Sequence, residues 1–155
     1  MVTFLTELRN QMKPHNYLIS LAVGGAQFSA EKSYNIPAIA AQVDFINMMT
    51  YDLHGPWDGM TGINGAMYAG SADHSVLQKQ MNVDACVKYW LSAGAPANKL
   101  ILGIPTYGKS FTLANQANHG VGATSVGAGQ PGPFTREGGS LGYNEVTFKL
   151  SQLNN

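Results

Sequence analysis

The chain is poor in charge, with nine basic and nine acidic residues among 155 and a formal net charge of zero. A balance so sparse gives no electrostatic footprint for nucleic acid or for an anionic membrane surface. There is one cysteine, Cys86, so an intrachain disulfide and a cysteine-based zinc site are both excluded. No apolar run is long enough to span a bilayer. The start, Met1-Val2-Thr3-Phe4-Leu5-Thr6-Glu7, lacks the basic head and apolar stretch of a signal peptide. His15, His54, His74 and His119 show no metal-ligand spacing, and no serine sits in a Gly-x-Ser-x-Gly elbow. Gly127-Ala128-Gly129-Gln130-Pro131-Gly132 matches a nucleotide-binding glycine pattern. That pattern needs a strand before it and a helix after it, and Pro131 and Pro133 are poor starts for such a helix. No metal and no cofactor is therefore expected.

What is present centres on Phe45-Ile46-Asn47-Met48-Met49-Thr50-Tyr51-Asp52-Leu53-His54-Gly55-Pro56-Trp57. Alternation puts Phe45, Asn47, Met49 and Tyr51 on one face of a strand and Ile46, Met48 and Thr50 on the other. Both faces are largely apolar, which predicts a parallel strand buried on both sides. The stretch closes in a phenol, a carboxylate, an imidazole and an indole. Reactive groups at the C-terminal end of a parallel strand are where α/β enzymes place their sites. The plainer reading of Tyr51 and Asp52 is a strand end and a turn cap.

Around this stretch the periodicity predicts a helix over 3–12, a strand over 17–23 broken by Gly24-Gly25, a short helical piece near Ile39, and a strand over 45–51. Residues 58–80 read as a polar connection. A helix over 82–93 is well bounded: Asn82 as N-cap, Asp84 in the first turn, Gly94 past the end, and Val83, Val87, Trp90 and Leu91 as its inner stripe. Cys86 reads as a small helix-face residue. A strand is predicted over 100–107. Alternating helices and strands make this an α/β chain with a parallel sheet. From about Thr112 to Gly142 glycine and proline become dense, which reads plainly as a linker; a further element, a helix, follows near Glu145.

Asn47-Met48-Met49-Thr50-Tyr51-Asp52-Leu53-His54-Gly55-Pro56-Trp57 resembles the sixth barrel strand of the family 18 glycoside hydrolases, the chitinases. Lys99 to Phe111 is similar to the seventh strand, and Gly132-Pro133-Phe134-Thr135-Arg136-Glu137-Gly138-Gly139 to the family's inserted subdomain. The resemblance implies a partial (β/α)8 TIM barrel, about strands 5 to 7, over residues 1–112, and the first half of an α+β insertion subdomain over 113–155. It implies a chitinase that cleaves β-1,4-linked N-acetylglucosamine polymers by substrate-assisted retaining catalysis, with a non-catalytic, chitin-binding lectin as the alternative. Tyr51 and Asp52 would be the catalytic groups. Met49, Trp57, Tyr107, Lys109 and Glu137 would bind substrate, although many members carry Arg where Lys109 stands and Lys lacks the planar fork. The plain alternative for Glu137 is a solvated loop carboxylate.

The partners implied are chitin and chito-oligosaccharides, with an extracellular, monomeric parent. The family's general acid closes an Asp-x-x-Asp-x-Asp-x-Glu motif on the fourth strand, and no such motif occurs in this sequence. The chain is thus expected to begin after that strand, to end before the eighth, and to be inactive and molten alone.

Overall fold

The computed structural model describes residues 1–153. The chain forms two compact units. One comprises Met1–Thr50, Met67–Ala69 and Ser75–Gly103; the other comprises Tyr51–Ala66, Gly70–His74 and the chain from Ile104 onward.

The first unit is built on a parallel sheet in the order β1–β2–β3, with β1 at Ser20–Gly24, β2 at Phe45–Met49 and β3 at Leu100–Leu102. Ser20 lies opposite Phe45, and Ile46 opposite Leu100. The helices are α1 (Val2–Met12), α2 (Gln27–Ser33), α3 (Ile36–Ala40), α4 (Val76–Gln80) and α5 (Val83–Ser92). The core holds Val23, Ile39, Val43, Ile46, Met48 and Trp90, all essentially inaccessible. Each of its larger aliphatic side chains contributes about 1.5–3 kcal/mol by leaving water. Trp90 donates its indole N–H to the Gly25 carbonyl at 3.2 Å. A Cβ on Gly25 would press on Cys86 Sγ and Thr50 Cγ2 at 3.3 Å, so the bare backbone there lets the sheet and α5 approach. Burial pushes the Cys86 thiol up to about 11, leaving it a small apolar filler.

Several expectations need correction. The strand predicted over 17–23 begins at Ser20, and Tyr17 and Leu18 are exposed. The helix near Ile39 is preceded by a second one, α2. In α5, Asn82 caps as expected, its Oδ1 accepting the Ala85 N–H at 2.9 Å, and Gly94 takes φ +101°. Leu91, however, faces solvent, and Cys86 takes the inner place. In α1, Phe4 is exposed and Leu5 carries the burial. The alternation read in β2 is present, but Ile46, Met48 and Thr50 alone form a buried face. Phe45 is 37% and Met49 36% exposed, and Ile101, on the same face beside Asn47, is 46% exposed. The sheet is covered on one side only. Arg9 on α1 pairs with Asp44 at 2.7 Å. That bond, with the Ile19 N–H donated to the same carboxylate, holds Asp44 below the usual carboxylate range.

The strand predicted over 100–107 is two. β3 stops at Leu102; the Gly103 N–H extends the ladder by one bond to the Met48 carbonyl, at 2.9 Å. Pro105 has no N–H to continue it. The chain re-forms a strand in the second unit as β4 (Tyr107–Lys109), antiparallel to β7 (Ser140–Gly142). There β5 (Phe111–Leu113) pairs antiparallel with β6 (Ser125–Ala128). The glycine-rich stretch is therefore ordered and finds partner strands within this chain, contrary to the linker reading. The helix near Glu145 is α6, Tyr143–Leu153.

Candidate active site

The chain leaves β2 and turns at Asp52, where φ is +55°. This left-handed conformation is unusual for a residue with a Cβ, although Asp tolerates it better than most. Asn64, buried at 8% exposure, supports the turn. Its Oδ1 accepts the Asp52 N–H at 2.8 Å, its Nδ2 donates to the Tyr107 carbonyl at 3.1 Å, and its own carbonyl accepts the Leu53 N–H at 3.0 Å.

Between these two residues runs a loop with a one-turn 3-10 helix at Pro56–Asp58. Asp58 Oδ2 accepts the Gly55 N–H at 3.1 Å and lies 3.2 Å from His54 Nδ1. His54 is thus a buried, hydrogen-bonded histidine. The loop leaves Trp57 61% exposed, and a Cβ on Gly55 would overlap its ring.

β4 supplies the other wall. Its period of two points Tyr107 and Lys109 the same way. The Tyr107 hydroxyl donates to Asp52 Oδ1 at 2.7 Å, and Lys109 Nζ lies 2.7 Å from the same oxygen. The Lys109 ammonium also sits 5.2 Å from the Trp57 ring centre and 5.1 Å from that of Tyr107, within cation–π range. It reaches Ser140 Oγ at 3.4 Å. Tyr51 meets Tyr107 edge-on, with ring centres 6.1 Å apart. Burial opposes ionisation of Asp52, but the Lys109 and Tyr107 hydrogen bonds outweigh it and hold the carboxyl below its ordinary range. The Tyr107 phenol moves the opposite way: burial first, and then the bond to Asp52, push its pKa well above the usual tyrosine value.

Asp52, Tyr107 and Lys109 line an open cavity of about 310 Å³ together with Thr135, Glu137, Ser140, Leu141 and Gly142. Of the residues singled out from the sequence, Tyr51, Asp52, Trp57, Tyr107, Lys109 and Glu137 all fall in this second unit. Met49 ends β2 in the first unit. The sequence reading missed Asn64 and Glu145. The carboxylate of Glu145 is buried and accepts the N–H groups of Phe134, Thr135 and Gly142 and the Thr135 hydroxyl. The Thr135 hydroxyl bond foremost, against the opposing effect of burial and with the help of the amide bonds, lowers the Glu145 pKa to about 2. Nothing in a lone Glu near a helix start marks such a role. For Asn64 the only signal is the turn-forming pair Asn64-Gly65.

The sequence profile of the glycosyl hydrolases family 18 matches residues 1–154. The chain belongs to this family. Chitotriosidase-1 of Mus musculus is 44% identical over 129 residues, which cover 83% of this chain and 28% of that protein. The crystal structure of the Ostrinia furnacalis Group IV chitinase superposes with a TM-score of 0.91 at 40% identity, over 97% of this chain and 41% of that one. Human YKL-39, described as a pseudo-chitinase with retained chitooligosaccharide binding properties, superposes at 0.90 with 33% identity, over 97% and 43%. The family 18 segment described here thus spans well under half the length of these relatives.

Proposed function

We propose that this chain supplies part of the substrate site of a chitinase. The reaction is retaining hydrolysis of β-1,4-linked N-acetylglucosamine polymers, in which the substrate's own acetamido carbonyl oxygen attacks the anomeric carbon. The bond to the leaving oxygen breaks as a general acid, a Glu outside this chain, protonates it; water later opens the cyclic intermediate. Tyr51 donates its phenol to the attacking carbonyl and fixes its line of approach. Asp52 holds sugar polar groups and adjusts neighbouring charge. Met49 contributes to the floor beneath the acetamido methyl, and Trp57 offers a flat face to a sugar on the leaving-group side. Tyr107, Lys109 and Glu137 bind substrate.

One observation carries the reading: in a family 18 chain, the Asp52 carboxylate is clamped on one oxygen by Tyr107 and Lys109 at an open polar cavity, and 48% of its side chain remains exposed to a ligand. The sequence resemblance further supports assigning β1, β2 and β3 to barrel strands 5 to 7 within residues 1–112. Residues 113–155 are then the first half of the insertion subdomain, in an extracellular, monomeric protein with no cofactor.

A second reading is a chitin-binding lectin that keeps the sugar contacts without hydrolysis. The likeness to YKL-39 favours it. Hydrolysis of a fluorogenic chitobioside by the full-length protein separates the two. Turnover supports the enzyme. Tight chito-oligosaccharide binding without turnover, together with Gln, Leu or Ile in place of the fourth-strand Glu, supports the lectin.

A further inference from the structure

Asp52 and Tyr107 are joined twice over. Their side chains meet directly, phenol to carboxylate at 2.7 Å. Their main chains meet through one amide: Asn64 Oδ1 takes the Asp52 N–H and Asn64 Nδ2 gives to the Tyr107 carbonyl. The result is a closed ring running from the Asn64 amide to the Asp52 backbone, the Asp52 carboxylate, the Tyr107 phenol, the Tyr107 backbone and back. Opening it at Asn64 would leave a half-buried main-chain donor and acceptor without their protein partner. It would also leave Asp52 to hold φ +55° without the bond at its own nitrogen. Two backbones that drift apart separate the phenol and the ammonium of β4 from the carboxylate they share.

We infer that Asn64 is a positioning residue of this site: it aims the Asp52 carboxylate and the Tyr107 phenol at a common point by tying their main chains together. As a statement about catalysis this rests on the chitinase reading above. As a statement about Asp52 it does not.

Two variants test it in the full-length protein. Asn64→Ala removes both bonds. Asn64→Asp keeps the shape and the Oδ1 acceptor and turns the donor towards Tyr107 into an acceptor, so it breaks one bond where the alanine breaks both. The first measurement is the titration of the Asp52 carboxyl carbon by NMR on isotope-labelled protein. The groups bonded to Asp52 are Lys109 and Tyr107 from β4; Tyr51 packs against Tyr107, and Glu137 lines the same cavity. The wild type is expected to titrate below the ordinary carboxylate range. Both variants are expected to move back towards it, the aspartate further because it adds a negative charge. The second measurement is chito-oligosaccharide hydrolysis. Mispositioning lowers kcat about ten- to hundredfold, and KM moves by less than about threefold if the loss falls in the transition state. Asn82→Ala, which removes the cap of α5, serves as the control for stability alone and should leave kcat unchanged.

Unchanged Asp52 titration in Asn64→Ala overturns the inference, because Asn64→Asp shifts Asp52 through its charge alone. So does a kcat loss no larger than that of an equally destabilised Asn82→Ala. A wild-type protein that neither hydrolyses nor binds chito-oligosaccharides defeats the chitinase reading instead, and the Asp52 titration then decides the role of Asn64.

Discussion

Replacing Lys109 by Met removes the cation from the site and keeps most of the stem. The Lys109 side chain is only 9% exposed while that of Asp52 is 48% exposed, and the two facts set the magnitude. A hydrogen bond between ionised partners contributes about 1.5–3 kcal/mol in a protected setting. Water already competes at the Asp52 end, so about 1 kcal/mol is the appropriate share here. The contacts with the Trp57 and Tyr107 rings contribute about 0.5–1 kcal/mol each. Met fills the space of the aliphatic stem, so packing adds little, and the total loss is about 2–3 kcal/mol by these figures.

The loss carries a pH signature. The folded Asp52 pKa is depressed, so its contribution is present above the unfolded value of about 4 and is lost as pH falls through the folded one. The difference between wild type and Lys109→Met should therefore be full at neutral pH and shrink in acid. Urea unfolding of the full-length protein at both pH values measures it. A neutral-pH loss under about 0.5 kcal/mol, the size of an ordinary exposed ion pair, would refute the reasoning, as would a difference that does not change with pH.

On the proposed chitinase reading, Tyr51→Phe in the full-length protein should lower kcat more than it weakens substrate binding, because the proposed phenol bond would matter most as charge develops on the attacking carbonyl; unchanged kcat with a raised KM would reduce Tyr51 to a binding group. Glu145→Gln should speed amide exchange at Phe134, Thr135 and Gly142, whose N–H groups the carboxylate now receives. With the wild-type pKa held near 2, protection of those amides should persist above the ordinary carboxylate range and fade as pH falls towards that value, and the variant should lack this acid dependence; equal exchange at neutral pH would sink the idea. The 155-residue chain by itself should show no chitobioside hydrolysis and should bind a hydrophobic dye, since Phe45, Met49 and Ile101 are open on one face of the sheet; a sharp cooperative melt without dye binding would contradict it.

The sequence shows most clearly what is decided locally. Asn82, Asp84 and Gly94 bracket α5 because caps act on neighbouring backbone groups, and the alternation through Ile46, Met48 and Thr50 is the period of a strand. The same logic was available and unused at Ser75-Val76-Leu77-Gln78, a capping box that starts α4 within a stretch read as loop. What alternation could not show is that only one face of β2 is covered, because an apolar side chain reads the same whether or not a neighbour lies over it. Pro105, inside the strand predicted over 100–107, marked the break that was overlooked. Tyr51, Asp52 and Trp57 were visible as a cluster because they are contiguous. Asn64 and Glu145 act over 12 and 11 residues of chain respectively, through bonds for which no spacing rule exists.

The decisive step in assembling the cavity is the register of β4 against β7. Tyr107 lies opposite Gly142 and Lys109 opposite Ser140, with Gly108 facing Leu141 between them. A slip of one residue would send Tyr107 and Lys109 to the other face together, and Asp52 would lose both partners at once. Two features pin the register. On the reverse side Gly108 leaves room for α6, where a Cβ would already sit 3.6 Å from Val146; a phenol or a long ammonium chain has no place there. On the β7 strand the Glu145 carboxylate takes the Gly142 N–H at 2.8 Å and gathers the Phe134–Thr135 amides to the same point, with Gly132 tucked so close that a Cβ on it would overlap the carboxylate. The clamp at Glu145 thereby fixes the end of β7, and β7 in turn sets which way Tyr107 and Lys109 point. Glu145 touches neither Asp52, Tyr107 nor Lys109 in any of these bonds, yet the partners that Asp52 finds on β4 depend on it through a single strand register.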